Sequence, residues 1–212
     1  MTRFSIQPEI SVILPTFNRA RLLDTAIQSV LRQTFTDWEL IVVDDGSSNN
    51  TFSIINPYIT DNPRIRYLRH SNRKLNNTRN AGIQAAFGRY ITFLDSDDSY
   101  TPDHLESRYR FMQENPGTDL IVGGFHTDGE VFVKDCYDLE KMINIRECIV
   151  GPTLFGKREI FLALEGFRPL PYAGETELWA RAERLFTIQK IEEPKTYLYT
   201  RADDSITKNI QP

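Results

Sequence analysis

A rhythm constrains this chain more than any single residue does. Over its first half, short apolar runs rich in β-branched residues alternate with amphipathic stretches. Residues 10–14 (ISVIL), 38–43 (WELIVV), 65–68 (IRYL) and 90–94 (YITFL) have the composition of buried strands. Between the first two, Leu22, Leu23, Ala26, Ile27, Val30 and Leu31 recur at helical spacing up to about Gln33. Residues 51–59 read as a second helix, with Asn49 or Asn50 as its cap, and residues 75–87 as a third that Gly88 stops. Strands separated by helices imply β-α-β units and a mostly parallel sheet. In open sheets of that kind, ligands bind beyond the carboxyl ends of the strands. Pro15, Thr16, Phe17 and Asn18, then Asp44-Asp45-Gly46-Ser47, then Asp95-Ser96-Asp97-Asp98 all stand at such ends. Three polar turns are therefore expected to face one crevice.

Each turn has an ordinary reading beside a functional one. The carboxylates of Asp95, Asp97 and Asp98 repel one another, and a divalent cation among them relieves that; hard oxygen ligands suit Mg²⁺ or Mn²⁺. A solvated acidic turn ahead of the helix opened by Thr101-Pro102 accounts for the same residues. Asp44-Asp45-Gly46 is a favoured turn sequence, and also a place for a carboxylate that accepts from a base N–H or a ribose hydroxyl. Asn72, Lys74, Arg79 and Asn80 form either a solvated helix face or the cationic answer to an anionic ligand. Ahead of the last helix, Glu175 and Glu177 complement the helix dipole; Glu175, at the cap itself, can also face the crevice.

The second half is less regular. Residues 102–114 read as a helix with Leu105, Tyr109 and Met112 inward, and 120–124 as a strand. The rhythm then lapses: Val131-Phe132-Val133 suits a hairpin arm and 139–146 a short helix. Residues 151–155 and 157–164 resume a strand and a helix closed by Gly166-Phe167. A final helix over 176–186 carries Leu178, Trp179, Ala182, Leu185 and Phe186 on one face, and Ile188 and residues 197–199 suit edge strands.

A length of 212 residues with 40% apolar composition suits one domain. The net charge of −4 argues against a nucleic-acid partner, which requires a basic face. Cys136 and Cys148 form no metal or redox pattern, and so few cysteines suit a reducing compartment. The N-terminus lacks the pattern of a signal peptide. No apolar run approaches the ~20 residues of a membrane helix. The expectation is a soluble cytoplasmic protein without an integral membrane segment, with peripheral membrane association left open. No Walker loop, GxGxxG turn or nucleophile elbow occurs, and His70, His104 and His126 lack metal-ligand spacing.

Taken together, SVILPTFNR, SVLRQTFTDWELIVVDDGSSNNT, TRNAGIQAAFGRYITFLDSDD and GFRPLPYAGETELWAR, in that order, resemble family 2 glycosyltransferases of the GT-A fold over most of the chain. The resemblance implies a Rossmann-like, mostly parallel sheet flanked by helices. It implies a nucleotide-binding half (about 1–98) and an irregular acceptor-binding half (about 99–212). The implied reaction is an inverting transfer from a nucleotide-sugar donor, UDP-sugar favoured, to a glycan or lipid-linked acceptor in cell-surface, capsule or lipopolysaccharide-type synthesis, with Mn²⁺ or Mg²⁺ as cofactor. By the same resemblance, Pro15, Thr16, Phe17 and Asn18 border the base and Asp45 bonds it. Arg79, Asn72 and Lys74 approach the base or phosphates. Asp95, with Ser96, meets the ribose or a metal-bound water, Asp97 ligates the metal, and Glu175 is the catalytic base.

Two departures qualify this. The family's Glu-Asp pair is Gly174-Glu175 here, which leaves Glu177 as the fallback base. The tail Arg201-Ala202-Asp203-Asp204-Ser205 lacks the histidine many relatives carry. The chain is also expected to lack an added acceptor module or membrane region. The rival readings are a non-catalytic nucleotide-sugar-binding relative, and a sugar-phosphate nucleotidyltransferase, whose glycine-rich loop PTFNRARL does not supply.

Overall fold

The computed structural model describes residues 7–200 together with Ala202 and Ser205. The tail residues Arg201, Asp203 and Asp204 lie outside the described residues. In chain order the first half contains β1 (Ile10–Thr16), α1 (Ala20–Leu31), β2 (Trp38–Asp44), α2 (Thr51–Asp61), β3 (Ile65–Arg69), α3 (Lys74–Ala85) and β4 (Tyr90–Phe93). The second half contains β5 (Ser99–Tyr100), α4 (His104–Glu114), β6 (Leu120–Gly123), β7 (Phe125–Thr127), β8 (Phe132–Lys134), β9 (Met142–Asn144), β10 (Phe155–Lys157), α5 (Arg158–Ala163), α6 (Gly174–Ala182), β11 (Ile188–Ile191) and β12 (Tyr197–Tyr199).

The main sheet has seven strands in the order β11-β6-β10-β4-β1-β2-β3. All neighbours run parallel except β10, which is antiparallel to both β4 and β6. This is the expected GT-A-like arrangement of a mostly parallel sheet flanked by helices. Both faces are covered, so the central strands read as continuous apolar runs and not as alternations. On one face Ile10, Val12 and Leu14 of β1 pack with Leu23, Ala26, Ile27 and Val30 of α1. On the other, Ile13 packs with Ile83 of α3 and with Phe161, Leu178 and Trp179 of α5 and α6.

Five local expectations are corrected. Gly88 does not stop the third helix, which ends at Ala85 with Ala86 already extended. Buried Glu39 ends it by accepting from the Phe87 N–H (2.7 Å) and from Ser11 Oγ (2.6 Å). Gly88 itself passes so close to β1 that a Cβ there would lie 2.5 Å from the Ser11 nitrogen. Residues 139–146 are not a helix: β9 pairs with β8 from Lys134–Met142 to Phe132–Asn144, and a 3₁₀ turn follows at Ile145–Glu147. Gly151–Thr153 is a 3₁₀ turn, so the strand begins only at Phe155. Residues 197–199 form no edge: β12 lies between β5 and β7 in a three-stranded sheet. The last helix starts at Gly174 and ends at Ala182, which leaves Leu185 outside it and 69% exposed.

Candidate active site

The turns after β1 and β2 are joined by side chains. Asn18, in the left-handed region at φ 56°, donates its backbone N–H to Ser47 Oγ (2.8 Å), and its Oδ1 accepts from the Ser48 N–H (2.8 Å). Phe17 is left half-exposed at the rim of a large cavity, with Pro15 and Thr16 beside it. Thr16 Oγ1 is buried with no hydrogen-bond partner.

The adjacent carboxylates after β2 divide their work. Asp44 points inward, accepting from the Ser47 N–H (2.8 Å) and the Tyr67 hydroxyl (2.6 Å). Asp45 lines the cavity while its oxygens accept from the N–H groups of Arg73 (2.6 Å) and Lys74 (3.0 Å), at the start of α3. It holds that helix terminus in place, and an ionised carboxylate retains further lone pairs for a ligand. Asn72 and Lys74 are exposed on the same rim.

Arg79, one turn into α3, is fully buried, and its Nη2 donates to Asp95 Oδ1 at 2.9 Å. Burial alone would weaken its hold on the proton, but the charges of Asp95 and Glu175 outweigh that and leave its pKa raised. Glu175 comes to the same place from the far end of the sequence. At Gly151 a Cβ would stand 3.0 Å from Arg79 Nη1 and 3.1 Å from Glu175 Cβ. The glycine is what lets these groups share the space. Burial pushes the Glu175 carboxyl above its ordinary value, opposed by Arg79 and by its own backbone N–H and assisted by Asp95. Glu177 is tied elsewhere: Arg181 grips both its oxygens (2.7 and 2.8 Å), and Arg168 Nε lies 3.3 Å away. The structure thus brings Glu175, not Glu177, to Arg79 and Asp95.

The acidic turn after β4 also divides. Ser96 is buried, and Asp95 lines the cavity. Asp97 lines it too and pairs with Arg19 Nη1 at 3.1 Å; burial and the charge of Asp95 raise its pKa. Asp98 also borders the cavity, but its carboxylate is engaged, accepting from the Tyr197 hydroxyl and from the Thr200 N–H (2.6 Å). Burial, Asp95 and Asp97 raise it well above the carboxylate range. Tyr197 also accepts from the Asp95 N–H (3.3 Å), so β12 supports the acidic turn.

Among the described residues, no group of three or more His, Cys, Asp or Glu side chains forms a self-sufficient metal site. Mg²⁺-type ions are commonly held by one or two carboxylates plus substrate phosphates. Asp97 and Asp95, mutually repelling and open to the cavity, fit that mode. The cavity, about 1190 Å³, is lined from both halves of the chain, from Pro15 to Ser205. Its size suits a nucleotide-sugar with space beside it.

The profile described as Glycosyl transferase family 2 matches residues 11–148, well over half of the chain. The chain belongs to glycosyl transferase family 2. The family 2 match ends short of Glu175. A relative from Campylobacter jejuni, GalNAc(5)-diNAcBac-PP-undecaprenol beta-1,3-glucosyltransferase, is 46% identical over 119 residues, 55% of this chain and 38% of its own length. The chain spans less than half the length of such curated relatives. Residues 1–349 of S. aureus TarS in complex with UDP-GlcNAc superpose with a TM-score of 0.78 at 19% identity, over 96% of this chain and 62% of that one. The mannosyltransferase PcManGT of Pyrobaculum calidifontis, in complex with GDP-Man and Mn²⁺, gives 0.74 at 18%, over 95% and 59%. At such identities these two structures show the shared fold alone.

Sequence reasoning missed several residues at this family 2 site. Arg19 directly follows the PTFN turn, so its position was a usable signal. Gly151 and Tyr197 gave none, because their importance lies in contacts with residues 79, 98 and 175. No helix of the described residues is long and apolar enough to cross a membrane.

Proposed function

We propose that this chain is an inverting glycosyltransferase that moves a sugar from a nucleoside-diphosphate donor to an acceptor hydroxyl in the synthesis of a cell-surface glycan. The observation that carries the reading is the meeting of Glu175 with the Arg79–Asp95 pair in one cavity while Glu177 is held by Arg181. A base must be within reach of the hydroxyl proton and free to take it, and of the two glutamates only Glu175 meets that description.

In this reading the donor base lies against Pro15 and Phe17 and gives its N–H to Asp45, bordered by Thr16 and Asn18. Asn72 and Lys74 approach the base or phosphates from the rim. Arg79 holds Asp95 toward the ribose, beside Ser96. Asp97 would hold Mn²⁺ or Mg²⁺ together with the diphosphate. When bound, such an ion neutralises charge growing on the leaving group. Glu175 accepts the proton of the acceptor hydroxyl as that oxygen attacks the anomeric carbon from the face opposite the leaving diphosphate. The new glycosidic bond forms as the bond to the phosphate oxygen breaks, through an oxocarbenium-like state. The undecaprenol-linked substrate in the name of the Campylobacter relative supports a lipid-linked glycan acceptor, and a uridine donor is what the family resemblance implies.

Calorimetry with UDP and GDP, with and without Mn²⁺, tests this. UDP should bind more tightly than GDP, and Asp97→Ala should remove the Mn²⁺-dependent part of the affinity. Preference for GDP overturns the donor assignment, and equal UDP affinity without metal overturns the role of Asp97. Absence of any donor turnover despite UDP-sugar binding would favour a non-catalytic binding protein.

A further inference from the structure

Glu175 is the second residue of α6, whose start has no side-chain cap; from within the helix, Arg181 donates to the carbonyls of Leu164 and Gly166. The stretch before it, from Glu165 to Ala173, has little regular structure and contains three positive-φ residues, Glu165, Gly166 and Ala173. Two asparagines of α3, one helical turn apart, hold it. Asn80 makes a two-bond pair with the backbone of Phe167: its Nδ2 donates to the Phe167 carbonyl, and its Oδ1 accepts from the Phe167 N–H, both at 2.8 Å. Asn76 Nδ2 donates to the carbonyls of Arg168 (2.9 Å) and Leu170 (3.0 Å).

Each asparagine is also seated on a glycine at one end of the stretch. A Cβ at Gly166 would lie 2.3 Å from Asn80 Oδ1, and one at Gly174 would lie 2.3 Å from Asn76 Nδ2. No side chain fits at either place while the asparagines stay where they are. The same helix carries Arg79 between them, fixed to Asp95. One rigid element therefore sets both the cation and the height of the segment that delivers Glu175 to it.

We propose that Asn80, together with Asn76, is a positioning residue for the catalytic base: the pair registers the 166–174 segment against α3 so that Glu175 stands over Arg79 and the sugar. This rests on the reading of Glu175 as the base. Asn80 lies behind the main cavity and does not line it, so its removal should spare donor binding. A displacement of about 1 Å at a reacting group can cost up to roughly 100-fold in rate.

The test is a double-mutant cycle of Asn80→Ala with Glu175→Gln, read as steady-state hydrolysis of UDP-N-acetylglucosamine in Mn²⁺ with water as acceptor. UDP affinity is measured in parallel by calorimetry. Asn80→Ala should lower kcat about 10- to 100-fold with UDP affinity and donor KM unchanged, and should add nothing in the Glu175→Gln background. Equal losses in both backgrounds would mean that Asn80 acts on the fold and not through Glu175, which overturns the proposal. An unchanged kcat in Asn80→Ala, with Glu175→Gln inactive, overturns the proposal and leaves the base assignment standing. Full activity in Glu175→Gln overturns the base assignment, and the proposal with it. If Asn80→Ala does not fold, Asn80→Asp enters the same cycle: it keeps the acceptor for the Phe167 N–H and replaces the donor to its carbonyl with a carboxylate oxygen that repels it.

Discussion

The front and back halves of the molecule position their polar groups by different means. In residues 10–98 the sheet does it: parallel strands end at one edge, and the turns after β1, β2 and β4 arrive together because the strands pair in register. In residues 99–200 no such repeat exists. Glu175 reaches the same cavity through a glycine without a side chain, two asparagines bonded to backbone, and a 3₁₀ turn. Placement by sheet topology tolerates many sequences, since the constraint lies in hydrogen bonds every residue can make. Placement by particular side chains tolerates few. Single substitutions at the contacts that place the back half, including the asparagines of α3 that hold it, should therefore disturb turnover more sharply, and those at the sheet-placed turns should show first as lost ligand affinity or stability.

The largest effect expected is at the base. Glu175→Gln should keep the fold and UDP affinity while lowering turnover by about 10²–10⁴-fold, the usual contribution of general base catalysis. Glu177→Gln should stay within a few-fold of wild type and lose roughly 1–2 kcal/mol of stability with its charged bonds to Arg181. Steady-state rates and urea unfolding of both variants read this directly. A dead Glu177→Gln beside an active Glu175→Gln would reverse the assignment.

Gly151→Ala comes next. The added methyl falls 3.0 Å from Arg79 Nη1 and 3.1 Å from Glu175 Cβ, closer than either group accepts without moving. Turnover should fall by about 10-fold or more, with a smaller change in UDP affinity. An unchanged rate would mean that the Arg79–Glu175 juxtaposition is not needed.

Asp98→Ala probes the front half. It leaves the buried Tyr197 hydroxyl and the Thr200 N–H without their acceptor, at roughly 1–3 kcal/mol, offset in part by relief of repulsion with Asp95 and Asp97. A lowered urea midpoint with UDP affinity retained in the remaining folded protein is expected. Retained stability would show that Asp98 does not anchor β12.

The smallest effect is in pH. Glu175 must be ionised to accept a proton, and its pKa is raised by burial. The rate should therefore rise with pH through a limb above the ordinary glutamate value and level off beyond it. Because Arg79 pulls that pKa down, Arg79→Met should move the limb upward. A limb that moves down would show that Arg79 does not act on Glu175.

The sequence alone determined the sheet, the convergence of its turns and the family. These follow from apolar periodicity and from local turn residues, which act over a few positions and leave a pattern in the chain. The strand ends at residues 15–18, 44–47 and 95–98 were legible for that reason. What only the tertiary structure decided is which of several equivalent carboxylates faces the cavity. Asp44 turns inward, and Asp98, though on the cavity wall, has both oxygens engaged within the fold, while Asp45, Asp95 and Asp97 line the cavity, because Tyr67 and Tyr197 supply hydroxyls from distant strands. Glu175 lines the cavity while Glu177 is held aside, because Arg181, Arg168 and two asparagines of a helix far back in the chain determine how α6 is set. Local pattern carries no record of such contacts. They form only when segments some 90 residues apart meet, as Asn80 and Phe167 do at a separation of 87. The mistaken helix at 139–146 has the same cause: its residues are set by pairing with β8, a partner that helical periodicity cannot see.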